Sequence, residues 1–312
     1  IPPPYATDYQ ALSKELSDIN IAWLKNERLS AINNFNQVGI PNKKNENWKY
    51  SNLLFLAETE FLLNEANTEE YLKPEVLENF PKLDPDCQRL VFINSCLNLT
   101  LSDDIKEKDN LAISVFSEVN GEKTKNLVEQ IAISNSLKEN ALPMLNIALM
   151  SDGYAISLAA SSSLKLELLF ISKPSSSRYA YHPRVTILGK TKSHATILER
   201  HISLGDQIYW SNPLITIKLE SSATLDHYKV VNDTSKAWHT AFTSAVLSNS
   251  SSYKNFVLAA SPLYMRNQID IKLKESNADC ELNGAFLADQ KQEIDNHIQI
   301  DHLAPDCDSK VI

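Results

Sequence analysis

The sequence predicts a mostly β protein, a right-handed parallel β-helix preceded by an α-helical and α/β region. Two observations predict it. Short β-branched strands recur after about residue 145 with a spacing typical of stacked repeat units. Helix-period hydrophobic patterns are confined to the earlier part of the chain. We therefore divide the chain into residues 1–144, the helical and α/β region, and residues 145–312, the β-helix core.

The first predicted element is an amphipathic helix from about Tyr9 to Phe35. Leu12, Leu16 and Ile19 follow one another at i, i+4 and i+7, which places them on one side of a helix. Gly39 lies just past the end of the pattern, where glycine commonly terminates a helix. The pattern therefore predicts one long helix that packs its apolar side on the rest of the protein.

The part from about residue 51 to 142 shows a mixed pattern. Apolar runs such as Leu90–Ile93 alternate with acidic and asparagine-rich pieces, for example residues 64–70 and 103–110. Apolar runs of this length are typical of buried strands, and the polar pieces are typical of loops. We expect a small α/β region with exposed loops.

The β region carries a repeated strand pattern. Ile215–Leu219 is echoed by Ile269–Leu273 and Ile298–His302, and Val185–Gly189 is a weaker copy. The four copies start 30, 54 and 29 residues apart, so the middle gap holds two periods. Phe242–Val246 falls where the missing copy should begin.

Each copy is followed by a polar turn and a second strand, as at residues 220–225 and 275–282. A strand–turn–strand unit of this size buries its apolar face only by stacking on its neighbours. A β-sandwich with regular hairpins is the alternative, and the register of the repeat favours the solenoid. Alternation along the strands then predicts inward side chains at Ile215, Ile217, Ile269, Ile271, Ile298 and Ile300.

Charge and length limit the possible partners. The 312-residue chain has a net charge of −9, which argues against binding of duplex nucleic acid and against adhesion to an anionic membrane. No apolar run is long enough for a membrane span. The start, Ile1–Tyr5, lacks the basic and apolar parts of a signal peptide, so we expect a cytoplasmic protein. The absence of an initiator methionine leaves the native N-terminus open.

Glycines and cysteines are informative by their spacing. The chain has 6 glycines, and no two lie close enough for a P-loop or a dinucleotide fingerprint. The four cysteines, Cys87, Cys96, Cys280 and Cys307, form no Cys-x-x-Cys pair, so a ferredoxin-like cluster site is not expected. We interpret them as reduced thiols at ordinary positions.

The candidate metal ligands lie near the end of the sequence. They are His297, His302 and Cys307, residue types that suit iron. Strand alternation places His302 at the inner end of the stripe of isoleucines and His297 on the outer face with Asp295. Ordinary structural roles are the alternative for each of the three. The remaining histidines lie on separate repeats, and the spacing predicts no catalytic residues.

Two ordered sets of motifs carry a resemblance to a known family. The stretch from Gly39 to Leu53 reads Gly-x-Pro-x-x-Lys-x-Glu-x-Trp-Lys-Tyr-Ser-x-Leu and resembles the SufD branch of the SufB/SufD family of iron–sulphur cluster assembly proteins. A second set is similar to the core of that family in order and spacing. It comprises residues 145–148, 152–153, 195–199, 223–229, 266–269, 282–286, 295–297 and 302–309.

The resemblance implies a non-enzymatic scaffold subunit of the SUF machinery. Such a subunit pairs with SufB and SufC and assists iron acquisition. It implies no stably bound cofactor, with iron or a cluster held transiently in the full complex. We expect Trp48 and Tyr50 to pack the N-terminal helical segment against the remainder of the chain, and Arg266 to serve structure or interaction.

The chain departs from the family pattern in its extent. Family members continue past the segment that holds His302 and Cys307, close the β-helix and end in a helical domain on which SufC docks. We therefore expect an incomplete β-helix that fails to bind SufC by itself and self-associates through its open end. Whether the sequence is a fragment or a natural truncation is left open.

A β-helix enzyme that acts on polysaccharide is the alternative function. Such an enzyme needs clustered carboxylates and aromatic platforms for sugars. The predicted solenoid carries isolated acids, and its only tryptophans are Trp210 and Trp238. The sequence therefore favours the scaffold.

Overall fold

A computed structural model of the chain confirms the predicted fold class. Of the residues that the structure describes, 46% are in strands, and they form a β-solenoid of about five turns with helices near the N-terminus. The structure describes residues 9–10, 21–51, 53–63, 72–105, 110–119, 127, 137, 140–173, 177–260, 262–289 and 291–312.

The single long helix predicted from Tyr9 to Phe35 is interrupted at Ile21, whose backbone is extended with φ −106° and ψ 99°. Helix α1 spans Ala22–Val38, and the predicted apolar positions Leu12, Leu16 and Ile19 lie outside the described residues. The helix ends at Gly39, whose φ is 71° and whose amide donates to the carbonyl of Phe35 at 2.7 Å. The other helices are α2 (Leu54–Glu58), α3 (Ala141–Leu149) and short 3-10 turns at Glu46–Trp48, Pro74–Asn79 and Phe116–Glu118.

The strands fall into two sheets, of ten and eight members in the part of the chain that the structure describes. The strands are β1 (Leu62–Leu63), β2 (Gln88–Ile93), β3 (Cys96–Leu97), β4 (Leu111–Val115), β5 (Tyr154–Leu158), β6 (Ser163–Ser172), β7 (Tyr179–Tyr181), β8 (Arg184–Gly189), β9 (His194–Ser203), β10 (Tyr209–Ser211), β11 (Leu214–Leu219), β12 (Thr224–Asn232), β13 (Trp238–Leu247), β14 (Ser252–Ala260), β15 (Tyr264–Leu273), β16 (Asp279–Leu287), β17 (Glu293–His302) and β18 (Asp308–Val311). One sheet stacks β8, β11, β13, β15 and β17 in parallel, and the other stacks β6, β9, β12, β14, β16 and β18.

Strands from the N-terminal region join these sheets. Strand β2 pairs with β6 in parallel, and β4 pairs with β5 in antiparallel fashion. The mixed part of the sequence was expected to form a small α/β region. Its described strands instead extend the two sheets of the solenoid, because their apolar runs are buried against the same core.

The register follows the predicted repeat with one correction. Ile215 pairs with Val185 and Thr243, and Ile269 pairs with Thr243 and Ile298. Successive turns therefore measure 30, 28, 26 and 29 residues at this position. The missing copy lies in β13 as predicted, but it aligns one residue later than the hydrophobic pattern indicated.

A ladder of left-handed residues turns the chain at each level. Six non-glycine residues at equivalent positions have φ between 55° and 59°. Such conformations are costly for side chains with a Cβ atom and persist only where the surroundings fix them. The amides of Lys192, Ser222 and Ser250 each donate to a carbonyl of the next turn at 2.9–3.1 Å, which supplies that constraint. The six residues are Ser161, Lys192, Ser222, Ser250, Asn277 and Asp306.

The core lies between the inner faces of the two sheets. Ile215, Ile217, Ile269 and Ile271 are each at most 3% exposed, as predicted. Ile298 was also expected to be inward and buried, but it is 37% exposed. It lies in β17, which pairs on one side only among the described strands, so its inward position is not covered.

The N-terminal helices pack on the outer face of the β13 sheet. Helix α1, through Phe35, shares one apolar cluster with Trp48, Phe55 and the residues of α3. The Phe55 ring stacks on Trp238 with their centroids 3.5 Å apart. No helix within the described residues has the length and apolar character needed to cross a membrane.

Candidate functional site

The interior of the middle turns holds charged side chains. Glu199 in β9 and Lys229 in β12 are in register with each other, and their neighbours in the same inward column are Leu168 and Val257. Glu199 is fully buried and Lys229 is 1% exposed. Charged residues are almost never buried this fully unless they are paired.

The carboxylate of Glu199 is the centre of a buried network. Its Oε1 lies 2.6 Å from His201 Nε2 and 3.1 Å from Lys229 Nζ, and its Oε2 lies 2.8 Å from His227 Nε2. His227 Nδ1 lies 3.0 Å from the hydroxyl of Tyr253. One carboxylate therefore faces an ammonium group and two imidazoles.

A second carboxylate extends the network. The His201 ring meets the His239 ring edge-on with centroids 4.8 Å apart, and His239 Nδ1 lies 2.8 Å from Asp233 Oδ2. The Tyr209 hydroxyl donates to Asp233 Oδ1 at 2.7 Å. We call the eight residues Glu199, His201, Tyr209, His227, Lys229, Asp233, His239 and Tyr253 the interior polar chain.

Burial and pairing set the protonation of its acids and of one imidazole. Burial alone would raise the pKa of Glu199, but Lys229 and the two histidines outweigh it and hold that pKa well below its ordinary value. Burial opposes ionisation of Asp233 too, yet the hydrogen bond from His239 leaves its pKa lowered. Burial lowers the pKa of His239 to about 4, so this imidazole is neutral near pH 7.

The interior polar chain consists of two hydrogen-bonded groups. One joins Glu199 to His201 and His227, the other joins Asp233 to Tyr209 and His239, and the two meet through the edge-on contact of the His201 and His239 rings. Two of its atoms, Lys229 Nζ and His239 Nε2, are buried without a hydrogen-bond partner. Lys229 is within ion-pair distance of Glu199 but outside hydrogen-bond geometry, so the pairing is electrostatic.

Acid should destabilise the fold from about pH 6.5 downward. Burial lowers the pKa of His239 to about 4 and that of His182 to about 3, from an ordinary 6.5. Between these values the unfolded chain binds more protons than the folded chain, so stability falls as the pH falls. The depressed pKa of Glu199 adds a further loss below its ordinary 4.5. Melting temperatures between about pH 8 and about pH 4 measure this.

The variant His182→Asn should flatten that pH dependence, because it removes one buried imidazole. His194→Asn is the matched control, since His194 is exposed. Equal slopes for the wild type and His182→Asn would contradict the assignment of the acid sensitivity to buried histidines.

A second polar cluster fixes the segment Gly39–Leu53 to the solenoid. The Arg266 guanidinium lies over the Trp48 ring at 3.9 Å and donates to the carbonyl of Asn47 at 2.8 Å. It also donates to Ser51 Oγ at 2.9 Å and pairs with Asp295. Trp48 and Arg266 are 6% and 3% exposed.

Tyr50 departs from the expectation. It was predicted to pack together with Trp48, but it is 83% exposed. The 3-10 turn Glu46–Trp48 directs Trp48 inward to Arg266, and Tyr50 follows in an exposed turn. The tyrosine therefore does not anchor the N-terminal segment.

Trp48→Ala should lower the free energy of unfolding by about 3 kcal/mol, because a large buried ring and its cation–π contact are lost. Tyr50→Ala is the control and should change it by less than about 0.5 kcal/mol. Urea denaturation measures both. A Trp48→Ala protein as stable as the wild type would show that the segment contributes no packing energy.

The structure separates the three candidate metal ligands. His302 is exposed and lies 3.0 Å from Ser309 Oγ through Nε2, while Cys307 donates to the Glu275 carbonyl at 3.3 Å. His297 is half-buried in β17. Among the described residues, no three His, Cys, Asp or Glu side chains come together as a metal site. Metal binding by His297, His302 and Cys307 stays a prediction.

Spacing alone missed the interior polar chain. Glu199 and Lys229 lie one repeat apart, and each is a charged residue at a position where the alternation of its strand predicts an inward side chain. That pattern was the signal in the sequence that could have identified the pair. His201 and His239 come together only because β9 and β13 face each other across the interior. Sequence reasoning could not pair residues on opposite sheets.

Two family models match the chain in order. The SufBD protein N-terminal region matches residues 3–167, and the SUF system FeS cluster assembly, SufBD core domain, matches residues 170–312. The second match holds the interior polar chain and Arg266, and the first holds the segment Gly39–Leu53.

Two curated proteins are similar to the chain along most of its length. An iron–sulphur cluster assembly SufBD family protein of Synechocystis sp. is 22% identical over 305 residues, which cover 94% of this chain and 66% of that protein. The iron–sulphur cluster assembly protein SufD of Escherichia coli is 19% identical over 284 residues, which cover 88% and 62%. The chain thus spans just under two thirds of the length of each relative.

Proposed function

This chain belongs to the SufB/SufD family, and from that premise we propose that it is a scaffold subunit of the SUF iron–sulphur cluster assembly machinery that works with SufB and SufC. The observation that carries the proposal is the ordered match of both family regions, which together span residues 3–312 with a short gap. The similarity to SufD of Escherichia coli favours the SufD role within the complex.

The solenoid suits a scaffold better than an enzyme. Its most reactive-looking groups, those of the interior polar chain, are at most 3% exposed, so no substrate can contact them in this conformation. A buried charged network instead favours one register of the stacked strands, because a slipped register would leave Glu199 or Lys229 unpaired. We propose that the protein has no catalytic residues and that iron or a cluster is its cargo.

Reduced thiols agree with a cytoplasmic site of action. Cys87, Cys96, Cys280 and Cys307 are all free. Burial raises the pKa of Cys87 and of Cys280 to about 11 each, so these thiols are protonated and poorly reactive. We propose no stably bound cofactor, which predicts substoichiometric iron in the purified protein by elemental analysis.

Co-purification with SufB and SufC of the same organism tests the proposal. We expect the full gene product to elute with both from a size-exclusion column and to restore cluster assembly in cells that lack it. Ile271→Asp, which disrupts the core, should fail in both assays, and Val246→Asp, on the outer face of the neighbouring strand, should pass. A folded wild-type protein that neither co-elutes nor restores assembly would overturn it.

A second experiment uses the 312-residue chain alone, in place of the full gene product. The resemblance predicts that this stretch does not bind SufC and that it self-associates. We propose both as outcomes for the stretch in isolation, measured by light scattering and by pull-down with purified SufC. A monomer at high concentration, or a stable SufC complex, would contradict them.

A further inference from the structure

A polar cavity lies between part of the segment Gly39–Leu53 and the solenoid, beside the contact that Arg266 makes. Its volume is about 360 Å³, and it lies over the outer faces of β15 and β17. Pockets of this size hold small molecules or single side chains. Among the described residues, its principal polar and aromatic lining is formed by Asn45, Glu46, Trp48, Asn140, Gln268 and Asp270.

The hydrogen bonds at the floor of this cavity leave acceptors in excess. Asn140 Nδ2 donates to Gln268 Oε1 at 3.1 Å, and Gln268 Nε2 donates to Asp270 Oδ1 at 3.3 Å. The amide nitrogens of Asn140 and Gln268 are thus engaged, and that of Gln299, which also lines the cavity, donates to Asp301 Oδ1 at 3.2 Å. Within the described part of the chain, Asn140 Oδ1 is buried without a hydrogen-bond partner, and Asp270 accepts one long bond, from Gln268. A buried acceptor without a donor is costly, so a donor from a ligand would be favoured.

The charge of the cavity lining also favours a ligand that donates hydrogen bonds, and specifically a cation. Asp270 and Glu46 both line it, and none of its described lining residues is a lysine or arginine. Burial raises the pKa of Asp270 and outweighs the hydrogen bond from Gln268. The charges of His297 and Lys272 lower that pKa, and the charge of Asp301 raises it. A cation with several N–H groups would satisfy both the charge and the free acceptors.

The same segment already holds one guanidinium group. Arg266 lies over Trp48 and donates to a backbone carbonyl, a hydroxyl and the carboxylate of Asp295. Arg266 thus occupies one face of the Trp48 ring and the nearby acceptors, so a cation in the cavity would rely on Asp270, Glu46 and Asn140 Oδ1 instead.

We propose that the cavity between the segment Gly39–Leu53 and strands β15 and β17 binds a guanidinium group, supplied by a small molecule or by an arginine side chain of a partner. Asp270 and Glu46 neutralise its charge, and Asn140 Oδ1 accepts one of its N–H groups. The proposal does not depend on the role in cluster assembly, because it rests only on the lining of the cavity.

Calorimetric titration of the full chain tests this site. Ethylguanidinium should bind saturably, and its neutral isostere ethylurea should not. Asp270→Asn should weaken ethylguanidinium binding at least about tenfold, since a charge-assisted hydrogen bond is lost. Asp226→Asn, on the outer face of β12 in the other sheet, is the matched control and should bind like the wild type.

The variant Asp270→Asn should remain folded, because burial already disfavours the charged carboxylate at this position. Its thermal melt separates a lost contact from a lost fold. Two further probes distinguish the sources of the guanidinium group. If arginine with blocked termini binds as well as agmatine, an arginine side chain of a partner is supported. If agmatine binds more tightly, a small molecule is supported. Absence of saturable ethylguanidinium binding to the folded wild type, or equal affinity in Asp270→Asn, would overturn the proposal.

Discussion

Replacing Ile271 with aspartate should unfold the solenoid at room temperature. Ile271 is 1% exposed and lies in an inward column between Ala245 and Ile300. No cation lies in register with it there, so the new carboxylate would be buried without a partner. The expected cost is about 5 kcal/mol or more, comparable to the whole stability of a typical domain.

Val246→Asp is the matched control for this change. Val246 lies on the neighbouring strand but faces outward and is half-buried. Its register neighbours are Lys218 and Lys272, which favour a carboxylate at this position. Circular dichroism and urea denaturation compare the two variants. If Ile271→Asp melts like Val246→Asp, the inward assignment of this column is wrong.

Glu199→Leu should lower the free energy of unfolding by about 3–5 kcal/mol, because it leaves the Lys229 ammonium buried without its counter-charge. His201 and His227 also lose their common acceptor. The change removes no solvent-exposed group, so the whole loss comes from the interior. Urea denaturation midpoints measure it.

The double variant Glu199→Leu, Lys229→Met separates charge from packing. It removes both charges and replaces them with apolar side chains of similar size, so we expect most of the lost stability to return. Lys229→Met alone should be milder than Glu199→Leu, because Glu199 keeps its contacts with His201 and His227. Equal losses in the single and double variants would show that Glu199 and Lys229 do not interact.

Much of the fold could be predicted from the sequence, because strand burial leaves a local signal. The alternation at Ile215–Leu219 and its copies at Ile269 and Ile298 identified the stacked strands and their approximate spacing. The one-residue error at Thr243 arose because that inward position holds a threonine, which a hydrophobic pattern does not mark. Cross-strand pairing fixes the register there.

The candidate site was less accessible to sequence reasoning. Trp48 and Arg266 could be singled out by resemblance, but their contact spans more than two hundred positions and depends on the fold. Tyr50 is aromatic like Trp48, but it is exposed whereas Trp48 is buried. The short 3-10 turn Glu46–Trp48 directs the Trp48 side chain inward and leaves Tyr50 outside. The residue types alone therefore could not show that Trp48 anchors the segment and that Tyr50 does not.

The sequence by itself determined the class of the fold, the stacked repeat and the family, since each depends on residue types at local or periodic spacings. Only the tertiary structure decided which polar residues meet. His201 and His239 lie on opposite sheets, and Asn140, which precedes α3, reaches the outer face of β15 near Asp270 through its hydrogen bond to Gln268. Contacts across layers depend on distances in three dimensions, and no spacing along the chain encodes them.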